Sequence, residues 1–206
     1  MEDKNKQLNF NLVTSELNAS DKEKVLMDLS FIQKMTTNAL KVGCRVIISG
    51  GYANDGALGQ ITRPHGDIDL QVYGTRDDAN VLIKHIVQES SKNTGTLNLE
   101  DRGREMYYHT FKAKGNGLGT DIYYVQVVTD PFSNRKIVLK SDGTQNEEQY
   151  FNTSVVTLEA ITFEAVKPEE GLEDITSKRE RGYAIKGKHD QDIMNLTELL
   201  RQQKAH

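Results

Sequence analysis

The hydrophobic residues near the N-terminus recur at the spacing of a helix. Residues 21–42 therefore predict an amphipathic helix, because an apolar residue returns to the same side every three or four positions. Ser20–Glu23 has the form of a capping box, whose serine and glutamate satisfy free backbone N–H groups, and Gly43 is placed to end the helix. The apolar positions are Val25, Leu26, Leu29, Ile32, Met35 and Leu40.

Two strand patterns come next. The β-branched run Arg45–Ser49 ends in Gly50-Gly51, which predicts a strand that enters a tight turn, and a short helix can follow through Ala57. Asp67–Tyr73 alternates strictly between apolar and polar residues, so it predicts a strand with one buried face. The apolar face carries Ile68, Leu70 and Val72, and the polar face carries Asp67, Asp69 and Gln71.

The remaining segments predict a helix, three strands and then a helical end. Asp77–Gln88 reads as a helix, with His85 on its apolar side as a core histidine. The inner stripe of that helix is Val81, Leu82, His85 and Ile86. Strands are predicted over Glu105–Ala113, Thr120–Val128 and Lys136–Lys140, and helices over Thr157–Val166 and Asp190–Gln203.

Strands in the middle of the chain with helices at both ends predict an α+β fold. We expect a mixed β-sheet flanked by helices, followed by a small C-terminal helical part. The chain divides into a polar N-terminal arm over residues 1–18, a main domain over residues 19–150 and a helical segment over residues 151–206 that packs on it.

Composition narrows the class of protein. Hydrophobic residues make up 36% and charged residues 27% of 206 residues, which is ordinary for a globular protein, and no apolar run or leader predicts a membrane helix or a secretory signal. The net charge is −4 with dispersed Lys and Arg, which disfavours a nucleic-acid partner. The single Cys44 cannot form an intrachain disulfide, so we expect a buried thiol and a cytoplasmic location.

Asp67 and Asp69 are the first candidates for chemistry. Two residues apart on a strand, their carboxylates point the same way and repel each other unless a cation lies between them. Hard oxygen ligands of this kind suit Mg²⁺, which completes its coordination with water and phosphate oxygens. The alternative is a solvated strand face that carries two aspartates, although aspartate is disfavoured in strands.

Residues 49–69 together resemble the signature of the aminoglycoside and lincosamide nucleotidyltransferases, within the DNA polymerase β-like superfamily. That signature is a Gly-Gly pair, a short helix, and Thr-Arg-x-His-x-Asp-Ile-Asp, which here begins at Thr62 and ends at Asp69. The resemblance extends more thinly over about residues 45–200. Its downstream parts are Tyr108-His109-Thr110-Phe111, the strand Thr120-Asp121-Ile122-Tyr123 with a third carboxylate, and a final helix with Lys188 and Asp192-Ile193.

The resemblance implies a nucleotidyltransferase sheet and a catalytic domain over residues 19–150. It implies Mg²⁺-dependent transfer of a nucleoside monophosphate from an NTP, ATP above all, to a hydroxyl of a small acceptor such as an aminoglycoside or a lincosamide. Two Mg²⁺ ions would bind Asp67, Asp69 and Asp121. Asp121 would either also take the proton from the acceptor hydroxyl or act only as a metal ligand. The implied nucleotide-binding residues are Ser49, Gly50, Gly51, Arg63 and Lys188.

Several alternatives stay open. Arg63 and Lys188 can be surface charges, and His65 can orient Asp67 or pack beneath the loop. The acceptor can be a macromolecule such as tRNA or a protein, or the chain can bind nucleotides without catalysis, and the oligomeric state is not fixed. The chain departs from the family pattern at Tyr52 for Trp, Asn54 for an apolar residue, Tyr123 for His and His189 for Asp, none of which removes a carboxylate of the implied metal site.

Overall fold

The computed structural model describes the backbone of residues 17–94, 98–105, 108–114, 119–129, 136–139, 145–147, 152–182 and 187–205. Within these ranges, it describes side chains for all residues except those between 86 and 151. The predicted arm over residues 1–18 lies almost wholly outside these ranges. The described residues form five helices and nine strands. The helices are α1 (Ala19–Lys41), α2 (Gly50–Leu58), α3 (Arg76–Thr94), α4 (Pro168–Glu180) and α5 (Gly187–Lys204).

The strands form one mixed sheet, which confirms the α+β prediction. Its order is β3-β4-β5-β2-β1-β9-β8, and β6 and β7 extend from β5. The pairs β2–β5 and β1–β9 are parallel and the others are antiparallel. The bounds are β1 Arg45–Ser49, β2 Ile68–Gly74, β3 Asn98–Glu105, β4 Tyr108–Lys114, β5 Gly119–Thr129, β6 Lys136–Leu139, β7 Gln145–Glu147, β8 Thr153–Leu158 and β9 Ile161–Val166.

Helix α1 packs on the sheet as its period predicts, with two corrections. Leu26 and Leu40 are 58% and 76% exposed, so they lie outside the buried stripe. The helix begins at Ala19 rather than at the predicted capping box, because the Asn18 side chain accepts a hydrogen bond of 2.9 Å from the Asp21 N–H and so serves as the N-cap. Gly43 ends the helix region with φ of 75°.

The inner face of α3 is rotated by about one residue from the predicted stripe. Leu82 and Ile83 are buried, whereas Val81 is 42% exposed. His85 is exposed on the same side as Val81, one turn further along, so the prediction of a core histidine is wrong. The predicted buried thiol of Cys44 is confirmed, and burial raises its pKa to about 11, with the nearby Asp78 adding to the shift.

The predicted helix over Thr157–Val166 is wrong. Strands β8 and β9 form a hairpin there, and β9 pairs with β1 through the register of Ile48 with Ala165. The hairpin turns at Glu159 and Ala160, whose φ angles are 48° and 64°. Such two-residue turns usually carry Asn or Gly, and neither residue is present here to indicate a hairpin. The first part of the 151–206 segment is therefore sheet, and only its later part is helical.

Among the described residues, no helix is both long and apolar enough to cross a membrane.

Candidate active site

The first glycine of the Gly-Gly pair makes room for an aspartate. Ser49 at the end of β1 is the register partner of Asp69 on β2, and Gly50 begins α2 with φ of 63°. A Cβ added to Gly50 would lie 2.1 Å from Asp69 Oδ2. Glycine is therefore required at position 50 for two reasons. The backbone there is left-handed, and the Asp69 carboxylate occupies the space that a side chain would need.

The second glycine makes room for a histidine. A Cβ on Gly51 would lie 2.1 Å from His65 Nδ1 and 2.4 Å from its Cε1. His65 is 4% exposed, and its ring centroid lies 4.5 Å from that of Tyr52. This histidine therefore packs under the start of α2, in agreement with the structural role predicted for it.

His65 and Arg63 belong to one chain of polar contacts. His65 Nε2 lies 2.6 Å from Asp55 Oδ2, and Asp55 Oδ1 accepts hydrogen bonds from the Thr62 N–H at 3.2 Å and the Thr62 hydroxyl at 2.7 Å. Arg63 Nη1 lies 3.0 Å from His65 Nδ1. The opposite side of the guanidinium binds Asp192, with Nε to Oδ1 at 3.3 Å and Nη2 to Oδ2 at 2.8 Å.

The ion pair of Arg63 with Asp192 is largely buried. The two side chains are 11% and 6% exposed, so the alternative of Arg63 as a solvated surface charge does not describe this structure. Asp192 lies on α5, so the pair joins the loop before β2 to the C-terminal helix. Paired guanidinium and carboxylate in this two-contact geometry are among the stronger interactions in proteins.

Tyr52, which departs from the family pattern, has a specific partner. Its hydroxyl donates a hydrogen bond of 2.6 Å to Asp28 Oδ2, and Lys24 Nζ lies 2.5 Å from the same oxygen. Burial raises the pKa of Tyr52 strongly, and Asp28 adds to the shift, so the phenol stays a donor. Sequence reasoning missed Asp28, although its place three residues after Val25 on the apolar stripe of α1 was a visible signal.

The three predicted carboxylates belong to neighbouring backbone positions. Asp67 immediately precedes β2 and Asp69 lies on it, both half-buried. The parallel register pairs Asp69 with Asp121 on β5, and neighbouring strands run about 4.8 Å apart. No group of three or more metal-binding side chains occurs among the described side chains, which include Asp67 and Asp69 but not Asp121.

The start of α5 brings further positive charge toward Arg63. Lys188 and His189 are half-buried in its first turn. Burial lowers the pKa of His189, and Lys188 adds to the shift, as do Arg63 and Lys178. Lys188 is thus in the same neighbourhood as Arg63, whereas Ser49, Gly50 and Gly51 lie at the junction of β1 and α2.

Comparisons with known proteins agree with this architecture. The crystal structure of ANT(2'')-Ia in complex with adenylyl-2''-tobramycin has a TM-score of 0.58 and 18% identity, over 86% of this chain and 92% of that one. The lincomycin-bound lincosamide antibiotic adenylyltransferase LnuA has a TM-score of 0.58 and 15% identity, over 90% and 98% of the two chains. At these identities the likeness shows the fold. No curated protein sequence matches.

The mixed sheet, with Gly50 against Asp69 where β1 ends, has the nucleotidyltransferase fold of these two structures. The sequence model of the aminoglycoside-2''-adenylyltransferase family matches residues 31–196. The chain belongs to that family.

Proposed function

We propose that the protein transfers the adenylyl group of ATP to a hydroxyl of a small acceptor of the aminoglycoside or lincosamide class. The observation that carries this proposal is the Asp69 carboxylate against Gly50, at the turn where α2 begins, in a chain of the aminoglycoside-2''-adenylyltransferase family. The bound molecules of two structural relatives, adenylyl-2''-tobramycin and lincomycin, support the choice of acceptor. The buried Cys44 thiol agrees with the proposed cytoplasmic location.

Asp67, Asp69 and Asp121 are the proposed ligands of divalent metal, with Mg²⁺ as the ion and two ions as the number. Their donors are carboxylate oxygens, which Mg²⁺ prefers, and the absent Cβ of Gly50 leaves the space that Asp69 occupies. When bound, the ions supply positive charge that stabilises the attacking and leaving oxygens of the displacement. Asp121 is also the proposed base that takes the proton of the acceptor hydroxyl.

The triphosphate is proposed to bind at the first turn of α2. Ser49 is the N-cap residue but makes no side-chain capping hydrogen bond, so this helix start keeps backbone N–H groups for another acceptor. The N–H groups of Gly50 and Gly51 belong to that turn. Lys188 on α5 is proposed to add a positive charge near the triphosphate. Arg63 is proposed to add a second one while its guanidinium stays paired with Asp192.

A labelled-transfer assay tests the proposal. The protein is incubated with each α-labelled NTP and Mg²⁺, alongside aminoglycosides, lincosamides and bulk tRNA, with Asp69→Asn as the inactive control. Transfer of label from ATP to one of the antibiotics is the expected result. Transfer to tRNA or to protein alone would replace the small acceptor by a macromolecule, and tight NTP binding without any transfer would make the chain a nucleotide-binding module.

A further inference from the structure

Five side chains link three separate parts of the molecule by hydrogen bonds. We call this group the clasp: Asp55 on α2, Thr62, Arg63 and His65 in the loop before β2, and Asp192 on α5. Asp55 is 1% exposed, Thr62 is 1%, His65 is 4% and Asp192 is 5%, so these groups interact away from bulk water. Electrostatic contacts are stronger in such surroundings.

The chemistry of the clasp fixes the direction of its hydrogen bonds. A guanidinium has only donors, so His65 Nδ1, 3.0 Å from Arg63 Nη1, must be the acceptor. An ionised carboxylate has only acceptors, so His65 Nε2, 2.6 Å from Asp55 Oδ2, must carry the proton. The imidazole is therefore the neutral Nε2–H tautomer, and the donors run from Arg63 to His65 and from His65 to Asp55.

The clasp lies between the elements that carry the proposed site. Its loop residues end two positions before Asp67, and the His65 ring fills the space that a Cβ on Gly51 would need. Four of the five N–H directions of Arg63 are accounted for by Asp192, His65 and the Pro64 carbonyl at 3.4 Å. Among the described side chains, the second Nη2 N–H has no hydrogen-bond partner, and the clasp sets its direction.

We propose that His65 and Asp55 are positioning residues that act through Arg63. They hold the guanidinium in the one orientation that pairs with Asp192 and keep its last N–H, together with the Asp67 loop, aligned with the triphosphate site at the start of α2. This inference rests on the proposed function. It gives neither residue a proton-transfer role, because His65 is held by a donor on one side and an acceptor on the other.

Two substitutions at His65 separate positioning from space filling. His65→Asn keeps an acceptor near the Nδ1 position, toward Arg63, whereas His65→Gln keeps a donor near the Nε2 position, toward Asp55. If the clasp acts through Arg63, His65→Asn retains a larger fraction of the wild-type kcat/KM for ATP than His65→Gln. His65→Ala should lower kcat/KM by about 10–100-fold, which is the usual loss for residues that orient the ligands of a site. A space-filling role predicts the reverse order, because glutamine is nearer to histidine in size.

The kinetic test needs a stability measurement and a matched control. Each variant is assayed at least about 10 °C below its midpoint of thermal unfolding, so that an unfolded fraction does not lower the rate. His85→Gln changes an exposed histidine on α3 and is expected to keep wild-type kcat/KM. The proposal is overturned if folded His65→Ala keeps kcat/KM within about twofold of wild type, or if glutamine substitutes better than asparagine.

A spectroscopic test does not depend on activity. Long-range proton–nitrogen NMR spectra distinguish a protonated from an unprotonated ring nitrogen, and His65→Asn identifies the His65 signals among the five histidines. We expect a protonated Nε2 and an unprotonated Nδ1 whose shift changes in Arg63→Met. A protonated Nδ1 would overturn the clasp even in an active enzyme. An inactive wild type with the expected tautomer would instead overturn the proposed function alone.

Discussion

The two ends of strand β1 hold charge in opposite ways. At its start, Arg45 Nε lies 2.9 Å from Glu164 Oε2, its Nη2 binds the other carboxylate oxygen, and Thr153 Oγ1 accepts from the guanidinium at 3.1 Å. At its end, Ser49 is the register partner of Asp69, which in turn is paired with Asp121 on β5. One end pairs a cation with an anion, and the other collects carboxylates.

The two ends therefore affect the free energy of the folded protein in opposite directions. The hydrogen bonds from Arg45 lower the pKa of Glu164, so the native state favours its charged form. Carboxylates on neighbouring backbone positions repel each other unless a cation joins them, so their assembly costs free energy in the unliganded protein. The metal ions proposed to bind at the second end would offset this repulsion.

The largest expected effect is at the carboxylate end. Asp69→Asn should lower kcat by at least about 10³-fold, because it removes a charged ligand from the proposed metal site. The melting temperature should stay the same or rise slightly, since one of the repelling charges is gone. Transfer of label from α-labelled ATP measures the first and differential scanning calorimetry the second. Near-normal turnover of the folded variant would remove the metal role of Asp69.

Asp121→Asn tests whether the carboxylates at that end have separate roles. Transfer to the acceptor should fall by about 10²-fold or more, the usual contribution of a positioned general base. Binding of ATP with Mg²⁺, measured by calorimetry, should change much less, because Asp67 and Asp69 remain. Loss of binding equal to the loss of turnover would assign Asp121 to the nucleotide rather than to the acceptor.

Two glycines with positive φ provide a matched pair for the Gly-Gly turn. Gly50→Ala and Gly59→Ala both strain the backbone, at φ of 63° and 71°, by about 1–2 kcal/mol. Only at Gly50 does the new Cβ meet Asp69, whereas at Gly59 it meets open space among the described residues. We expect both variants to lose stability in urea unfolding, Gly50→Ala the more of the two, and a drop in kcat/KM of about tenfold or more in Gly50→Ala alone. Equal activities would show that Asp69 can move aside without consequence.

The smallest effect is expected at the paired end. The pKa of Glu164 is lowered in the native state from its ordinary 4.5, so its charge stabilises the fold above that pH and this stabilisation is lost as the pH falls through the lowered pKa. Glu164→Gln should therefore reduce the free energy of unfolding near neutral pH by less than about 1 kcal/mol, because the pair is partly exposed. In urea titrations the difference should shrink as the pH falls below 4.5 and through the lowered pKa of Glu164. Activity should stay unchanged throughout.

Local pattern was enough to predict the scaffold of the site but not its supports. The strand Arg45–Ser49 and the strand that carries Asp69 were predictable, because alternation and a Gly-Gly stop are properties of neighbouring residues. The partner of Arg63 was not, since Asp192 lies 129 positions away and only the packing of α5 brings it close. Asp55 was hidden in the same way, because its role depends on a loop that folds back over α2.

The helix predicted over Thr157–Val166 is wrong because long-range pairing also decides the structure of this segment. The strands β8 and β9 are short. Their turn residues, Glu159 and Ala160, have left-handed backbone angles, but the Asn or Gly that usually indicates such a turn in a sequence is absent. Tertiary pairing with β1 decides that these residues are extended, and a single sequence does not contain that information.

The pairing of Ile48 with Ala165 also bears on how the chain folds during synthesis. Strand β1 is translated before its neighbour β9, which leaves the ribosome more than a hundred residues later, at about 5–20 residues per second. For those several seconds the buried face residues Val46 and Ile48 have an open strand edge beside them, which is a template for wrong pairing. A nascent chain stalled before Ile161 should therefore be bound by chaperones, and the release of β9 should be the step that ends its tendency to aggregate.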